Sequence, residues 1–573
     1  MTTSPNNHNH QQLHRSFSTN RCRRWRRCHI TTAVVAVLAL LFSTAAWLSL
    51  VFSGTTSRCW HRYARRRVAT PLSPPPPPPP PPSLLIPPDM INNNAGLQLN
   101  HIVFGIAGSS QLWKRRKEFI RLWWRPRHMR GHVWLDDHVT PDDHTADADA
   151  DADLPPTIVS EDISTFRYTN PTGHPSGIRI SRIISESFRL RLPNVRWFVL
   201  GDDDTIFNPD NLLALLSKYD SSQMLYIGSP SESHSANSYF SHSMAFGGGG
   251  IAISYPLAEA LSRIQDDCLD RYPKLYGSDD RLHACISELG VPLTREPGFH
   301  QWDIRGNAHG LLAAHPIAPF VSIHHVEAVD PIYPGLKSLE ALKLFTKAMT
   351  TNPRSFLQRS MCYDHTHRLT ISVSLGYVVQ VFPNIVLPRE LERSEQTYSA
   401  WNGISQRMEF DFDTRDAYRS VCKKPIQFFL KDVWKDGNNT IGTYSRAKRR
   451  DDFKRKVFCF PRQPPLPHVQ TIHVVAYPLT EKWLLVPRRL CCNMNRTNEQ
   501  LQLTVGQCES GAFSSGGLPI WYLVFHGHAL LICLAIKLRM AGGALVLGFQ
   551  LTSKHADCRH QAWESYSLPS LFP

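Results

Sequence analysis

The first 67 residues contain no aspartate, no glutamate and no lysine, yet they hold eleven arginines. They therefore supply +11 of the chain's net +15, and the remaining residues are close to neutral. The body of the chain lacks a basic helix and lacks any lysine or arginine stripe interleaved with aromatics. Without that electrostatic footprint, nucleic acid is excluded as a partner. CxxC spacing does not recur either, which argues against zinc ribbons. The cysteines of the body, Cys268, Cys285, Cys362, Cys422, Cys459, Cys491, Cys492 and Cys508, read instead as disulfide partners in an oxidising compartment.

Charge is also missing from Thr31 to Ser53, an apolar run long enough for the about 20 residues that cross a bilayer. A cleaved signal peptide has a shorter apolar region of about 7–15 residues, so an uncleaved anchor is expected. Six arginines precede the run and five follow it, so the positive-inside rule favours a cytosolic N-terminus by a narrow margin. This divides the start of the chain into a basic cytosolic tail (1–30), a membrane anchor (31–53) and a stem (54–99). Nine consecutive prolines, Pro74 to Pro82, make that stem a polyproline spacer.

From about Asn100 onward, strands and helices alternate. His101 to Ala107 and His132 to Leu135 read as strands, with helices expected at Leu112 to Trp124 and Ile178 to Leu190. The Ala/Asp tract within Asp143 to Asp153 reads as a solvated loop. The alternation predicts an α/β sheet that binds phosphates near its strand C-termini.

The stretch VRWFVLGDDDTIF, Val195 to Phe207, organises the rest. Trp197 to Leu200 form a buried strand that ends on three carboxylates, Asp202, Asp203 and Asp204. Alternation along an extended chain puts Asp202 and Asp204 on one face, where both can reach one ligand. Oxygen ligands suit a hard cation, Mn²⁺ or Mg²⁺, which in turn binds phosphate. Asn208 and Pro209 read as the cap and first residue of the following helix. Further on, four glycines, Gly247 to Gly250, precede an apolar strand. A second acidic pair, Asp279 and Asp280, sits where Ser278 is expected to cap a helix. His324 and His325 follow the strand Phe320 to Ile323.

Six stretches, WFVLGDDDT, YIGSPSES, FGGGGIAIS, YGSDDRLHACISELG, REPGFHQWDIRGN and VSIHHVEAVDPIYP, occur in this order. Together they resemble a plant Fringe-related family within the β-1,3-glycosyltransferase group (glycosyltransferase family 31-like) that includes Fringe and core-1 galactosyltransferases. The resemblance covers roughly residues 100–512. It implies a nucleotide-sugar (GT-A-like) transferase fold and a single-pass Golgi protein with its catalytic domain in the lumen. It also implies a UDP-sugar donor, a glycan or glycoprotein acceptor, Mn²⁺ (or Mg²⁺), and inversion in forming a β-1,3 linkage. Carried onto this chain, the metal motif falls on Asp202 and Asp204, with Asp203 between them at the donor. The base falls in the pair Asp279–Asp280, with Asp280 preferred. The metal histidine is His324 or His325. Gly248 and Gly249 border the donor cleft.

The Fringe-like part is expected to span 100–334, and 335–512 to form a C-terminal extension. Residues 513–573 depart from the family pattern and read as an altered gene model or splice form. The competing function is a membrane-anchored carbohydrate-binding protein that has lost turnover. A haloacid-dehalogenase phosphatase fails on spacing, because Thr205 stands one position early.

Overall fold

The computed structural model describes residues 96–139, 151–447, 451–459, 466–480, 488–497 and 500–508. The expected tail, the anchor and nearly all of the stem lie outside these residues, as does the stretch 513–573. Among the described residues, no helix is long and apolar enough to cross a membrane.

The Asp strand, Trp197–Asp202, lies at the centre of a seven-stranded sheet. The strand order is Thr157–Val159, Arg130–Leu135, Ile102–Ala107, Trp197–Asp202, Ile251–Ser254, Tyr226–Gly228 and Leu293–Arg295. Both faces of the central strands are covered, which is why Ile102–Ala107 and Trp197–Leu200 are apolar without alternation. One face packs on the helices Ser176–Arg189, Tyr255–Arg271 and Ser278–Glu288 through Ile183, Leu261 and Ile286. On the other face, Phe207 meets Phe104 and Trp123 edge to face and those two tilt against each other, with centroids 5.1–5.6 Å apart. The predicted α/β architecture is thus present, with helix Ser110–Arg121 starting two residues before its expected position.

Only Ile251–Ser254 runs antiparallel to both of its neighbours in this sheet. Its direction matters, because Ile251 pairs with Leu200. The four glycines ahead of Ile251 therefore arrive at the C-terminal end of the Asp strand. Asn208 caps the helix Pro209–Leu216 by accepting from the Asn211 N–H at 3.2 Å, as its sequence position predicts. Ser278 does not act as a cap. The cap position belongs to Gly277, and the Ser278 hydroxyl contacts Asp279 Oδ1 at 3.3 Å. At its described end the acidic tract stays at the surface, with Asp151 reaching Lys117 and Asp153 reaching Arg121 there.

Beyond helix Ser338–Thr351, an eight-stranded sheet runs from Arg359–Asp364 to Leu490–Arg496 at its two edges. It curls until those edges touch. Ser360 Oγ donates to Leu490 O at 3.2 Å, and Cys362 is disulfide-bonded to Cys492. The other cysteines of the body pair as Cys268–Cys285, Cys422–Cys459 and Cys491–Cys508, so all eight are disulfide-bonded. A single hydrophobic core joins this sheet to the first one: Phe320 meets Phe345 and Phe356 at 5.7 and 5.3 Å. Between the strands Val378–Phe382 and Ile426–Asp436, the chain leaves the sheet and returns to the first domain, where Tyr398–Ala400 pairs antiparallel with Ile304–Gly306.

Candidate active site

Past Asp202 the backbone turns, and Thr205 N–H donates to Asp202 O at 3.0 Å. The Thr205 hydroxyl accepts from Asp202 N–H and donates to Gly248 O at 2.7 Å, tying the acidic turn to the glycine segment. That turn, rather than strand alternation, sorts the three carboxylates. Asp202 and Asp204 face His324, whose Nε2 lies 3.4 Å from Asp202 Oδ2 and 3.1 Å from Asp204 Oδ1. Asp203 points the other way, where its Oδ1 accepts from Arg116 at 2.6 Å. The same guanidinium reaches Asp204 Oδ2 at 3.2 Å and Glu327 at 3.1 Å. Arg116 therefore neutralises the outer side of the acidic turn.

The donor set fits a divalent cation. His324 Nδ1 faces the amide oxygen of Gln301 at 3.2 Å, so Nδ1 carries the proton and Nε2 turns its lone pair to the two carboxylates. Three lone-pair atoms within 4.8 Å of one another repel unless a positive charge sits among them. Their 3.1–3.4 Å separations match neighbouring ligands on an octahedral ion, about 3 Å apart for bonds of about 2.1 Å. Gln301 is fixed in turn by the Gly249 N–H at 2.8 Å, giving the imidazole an outer partner of the kind metal-ligating histidines use. Burial, with Asp204 and Asp279 nearby, pushes the Asp202 carboxyl well above its usual range. Burial works in the same direction on Asp204, but a proton on His324 Nε2, which stands in for the cation while none is bound, and the charge of Arg116 outweigh it and hold Asp204 at about 2.

The glycines permit this approach. A Cβ on Gly248 would lie 2.2 Å from His324 Cε1, and one on Gly247 would lie 2.7 Å from Asp279 Oδ1. Asp279 thus reaches the glycine segment next to the cluster. Burial first, and then Asp303 and Asp280, raise its carboxyl to about 6 against the opposing Gly247 N–H and Ser278 hydroxyl. Asp280 turns back along its own helix start, where its carboxylate accepts from the Tyr276 backbone and senses Arg281 and His283.

Residues 158–307 match the family described as Fringe-like. Over that stretch the chain is similar to Fringe-like proteins. An overlapping stretch, residues 236–492, matches a family described as protein of unknown function, DUF604. Among curated proteins, the β-1,3-glucosyltransferase of Mus musculus is 34% identical over 138 residues, covering 24% of this chain and 27% of that protein. The human β-1,3-glucosyltransferase is 34% identical over 105 residues, covering 18% and 20%. The UDP-GlcNAc:betaGal β-1,3-N-acetylglucosaminyltransferase 7 of Rattus norvegicus is 32% identical over 127 residues, covering 20% and 31%. The chain thus spans less than a third of the length of each of these relatives. A solved glycosyltransferase involved in glycosylating the major capsid of PBCV-1 aligns over 42% of this chain and 97% of that one. Its 11% identity and TM-score of 0.22 carry no argument.

Within the Fringe-like domain and its surroundings, the two histidines part company. His324 joins the carboxylates. His325, with a left-handed φ of 54°, stacks flat on His324 at 3.8 Å, and its Nδ1 lies 3.2 Å from Asp303. Its ring also stacks on Trp401 at 4.4 Å, and Arg305 lies 4.6 Å from the Trp401 ring centre. Trp401 comes from the C-terminal excursion, far from the Fringe-like match. Sequence reading missed Arg116, Gln301, Thr205 and Trp401. Of these, Thr205 closes the stretch WFVLGDDDT and Gln301 lies within REPGFHQWDIRGN, so those two stood in motifs that could have pointed to them.

Proposed function

We propose that the protein is an active, metal-dependent glycosyltransferase that moves a sugar from a UDP-sugar to a hydroxyl of a glycan or glycoprotein, with inversion and a β-1,3 linkage. The observation that carries this reading is the convergence of Asp202, Asp204 and His324 beside a separate carboxylate, Asp279. A divalent cation held by the first three would neutralise charge on the departing diphosphate. Arg116 fixes the orientation of Asp203 and Asp204, and Gln301 fixes that of His324, so the ligand set is pre-arranged.

Asp279 serves as the general base. It takes the proton from the acceptor hydroxyl as that oxygen bonds to the donor's anomeric carbon and the bond from that carbon to the diphosphate oxygen breaks. A base titrating near 6 is ionised at neutral pH yet still basic enough to accept a proton. Geometry favours Asp279 over Asp280 for this role, because Asp280 is engaged at the helix start. The relatives named as β-1,3-transferases support the linkage class. Four disulfides, and an exposed Asn438 in the sequon Asn438-Asn439-Thr440 at a hairpin, support a lumenal body, with Thr31 to Ser53 anchoring it in the Golgi membrane.

The test is a panel of UDP-sugars offered to the purified full-length chain with and without Mn²⁺, beside Asp204→Ala. Mn²⁺-dependent release of UDP that is lost in Asp204→Ala supports the reading. Glycan binding with no turnover of any UDP-sugar would replace it with a carbohydrate-binding function.

A further inference from the structure

A second cluster of metal-type ligands lies outside the transferase site. His234 stands at the start of the short helix His234–Tyr239, His242 follows it in the next loop, and Asp411 comes from the C-terminal excursion. Both imidazoles turn their Nδ1 onto the one carboxylate: His234 Nδ1 is 2.6 Å from Asp411 Oδ1, and His242 Nδ1 is 3.3 Å from Oδ2. The candidate ligand atoms all lie within 4.8 Å of one another, and the two rings are 5.6 Å apart.

The surroundings fix these groups as they would around a metal. His234 Nε2 lies 3.2 Å from the Ser238 hydroxyl, so a proton on Nε2 can be donated there and Nδ1 left bare. Asn237 Nδ2 donates to Asp411 Oδ2 at 2.7 Å, and Asp411 N–H donates to Glu232 O at 3.1 Å. The carboxylate and the backbone of Asp411 are therefore each held by the domain that carries both histidines.

We propose that His234, His242 and Asp411 bind one Zn²⁺, which clamps the C-terminal excursion to the Fringe-like domain. Two imidazole nitrogens and one carboxylate oxygen are a zinc-type donor set, whereas Mn²⁺ and Mg²⁺ favour oxygen. Three protein ligands leave a fourth position for water. His242 and Asp411 also line a cavity of about 490 Å³ shared by the two regions, with Glu232, His300 and His315 deeper in its wall. The clamp thus sits at the edge of a seam, where tying the two sides together has a structural effect. The site stands whether or not the transferase reading is right, because it uses none of those residues.

The experiment uses the full-length chain stripped with chelator and titrated with Zn²⁺ alone by calorimetry, with thermal unfolding in parallel. To keep Zn²⁺ off the transferase cluster, the same titration is run in Asp204→Ala. The expected result is one Zn²⁺ taken up at micromolar concentration in Asp204→Ala, with a rise in Tm. Adding His234→Ala and His242→Ala should weaken this uptake by more than about 100-fold, beyond what loss of a mere outer partner costs. His242→Cys, which keeps a zinc ligand, should retain it. UDP binding in the presence of Mn²⁺, measured with His234→Ala/His242→Ala in the otherwise native chain, should match the parent and so show that those variants fold. Absence of Zn²⁺ uptake in Asp204→Ala would overturn the proposal, as would uptake that survives the double histidine substitution.

Discussion

Asp279→Asn and Asp280→Asn differ by one position and should differ in nearly everything measurable. With its carboxyl raised to about 6, Asp279 is about nine-tenths ionised at pH 7 and accepts a proton readily. Asparagine keeps the shape but cannot accept that proton, so kcat should fall by about 10²–10⁴-fold while Mn²⁺-dependent UDP binding persists. The same shift predicts a stability effect of defined sign. Below pH 3.8 the carboxyl is protonated in both the folded and the unfolded chain, and nothing is lost. As pH rises through 3.8 toward 6, the unfolded chain ionises first, so folding stability falls; above 6 the whole loss is in place. A rise of about two pH units is worth up to about 3 kcal/mol, and partial exposure reduces this toward about 1 kcal/mol. Asp279→Asn should therefore raise Tm at pH 7 and leave it unchanged near pH 3, when measured with chelator present. Added Mn²⁺ should shrink the gain, because a cation at Asp202 and Asp204 lowers the Asp279 value. Asp280→Asn should cost little in kcat. Near-normal turnover in Asp279→Asn, or a collapse in Asp280→Asn with UDP binding intact, would refute the assignment.

Gly248→Ala should weaken Mn²⁺-dependent UDP binding by at least about 10-fold, because its Cβ would lie 2.2 Å from His324 and displace the ligand; a UDP titration with Mn²⁺ checks it. Trp401→Ala removes the stack behind His325, worth about 0.5–1.5 kcal/mol, so Mn²⁺ affinity read by electron paramagnetic resonance should drop about 2–10-fold, with Trp401→Phe restoring most of it. Cys268→Ser with Cys285→Ser opens a loop of 17 residues and should cost about 3 kcal/mol, seen as a lower denaturation midpoint in the oxidised protein.

The parts of the site legible in the sequence are those whose geometry is local. Alternation pairs Asp202 with Asp204 in the sequence; in the structure the strand ends at Asp202, and the turn after it gives the same pairing by aiming Asp204 at His324 and Asp203 at Arg116. The choice within His324–His325 was not legible, since it depends on a left-handed residue that folds the second ring back over the first. Nor was the choice within Asp279–Asp280. Both residues sit in the first turn of one helix, and what separates them is the arrival of Gly247 from another strand. Arg116 and Trp401 carry no local signal at all, while Gln301 stands inside REPGFHQWDIRGN with nothing there to mark it as the partner of His324. Arg116 stands 87 positions from the Asp203 it binds, and only tertiary packing brings the two together. The strands after residue 335 were left unread. Leu369–Ser374 alternates apolar residues with Thr and Ser, so its strand pattern was open to reading, whereas nothing local shows that it and Val378–Phe382 are buried along their whole length.

The same packing decides how the C-terminal region relates to the Fringe-like stretch. The expected boundary near residue 334 falls inside one hydrophobic core, not between two. Cutting there would strip Phe345 and Phe356 from Phe320, a buried ring whose burial is worth about 1.5–3 kcal/mol by itself. It would also remove the strand Tyr398–Ala400 from Ile304–Gly306, and Trp401 from His325. Losses of that kind, summed over the shared core, exceed the about 5–15 kcal/mol by which a folded domain is stable. A chain ending at residue 334 should therefore fail to fold, giving no cooperative thermal transition and no Mn²⁺-dependent UDP binding. If it instead melted cooperatively and bound UDP with native affinity, the excursion would be an appended module, and the brace through Trp401 would have no part in holding the metal ligand.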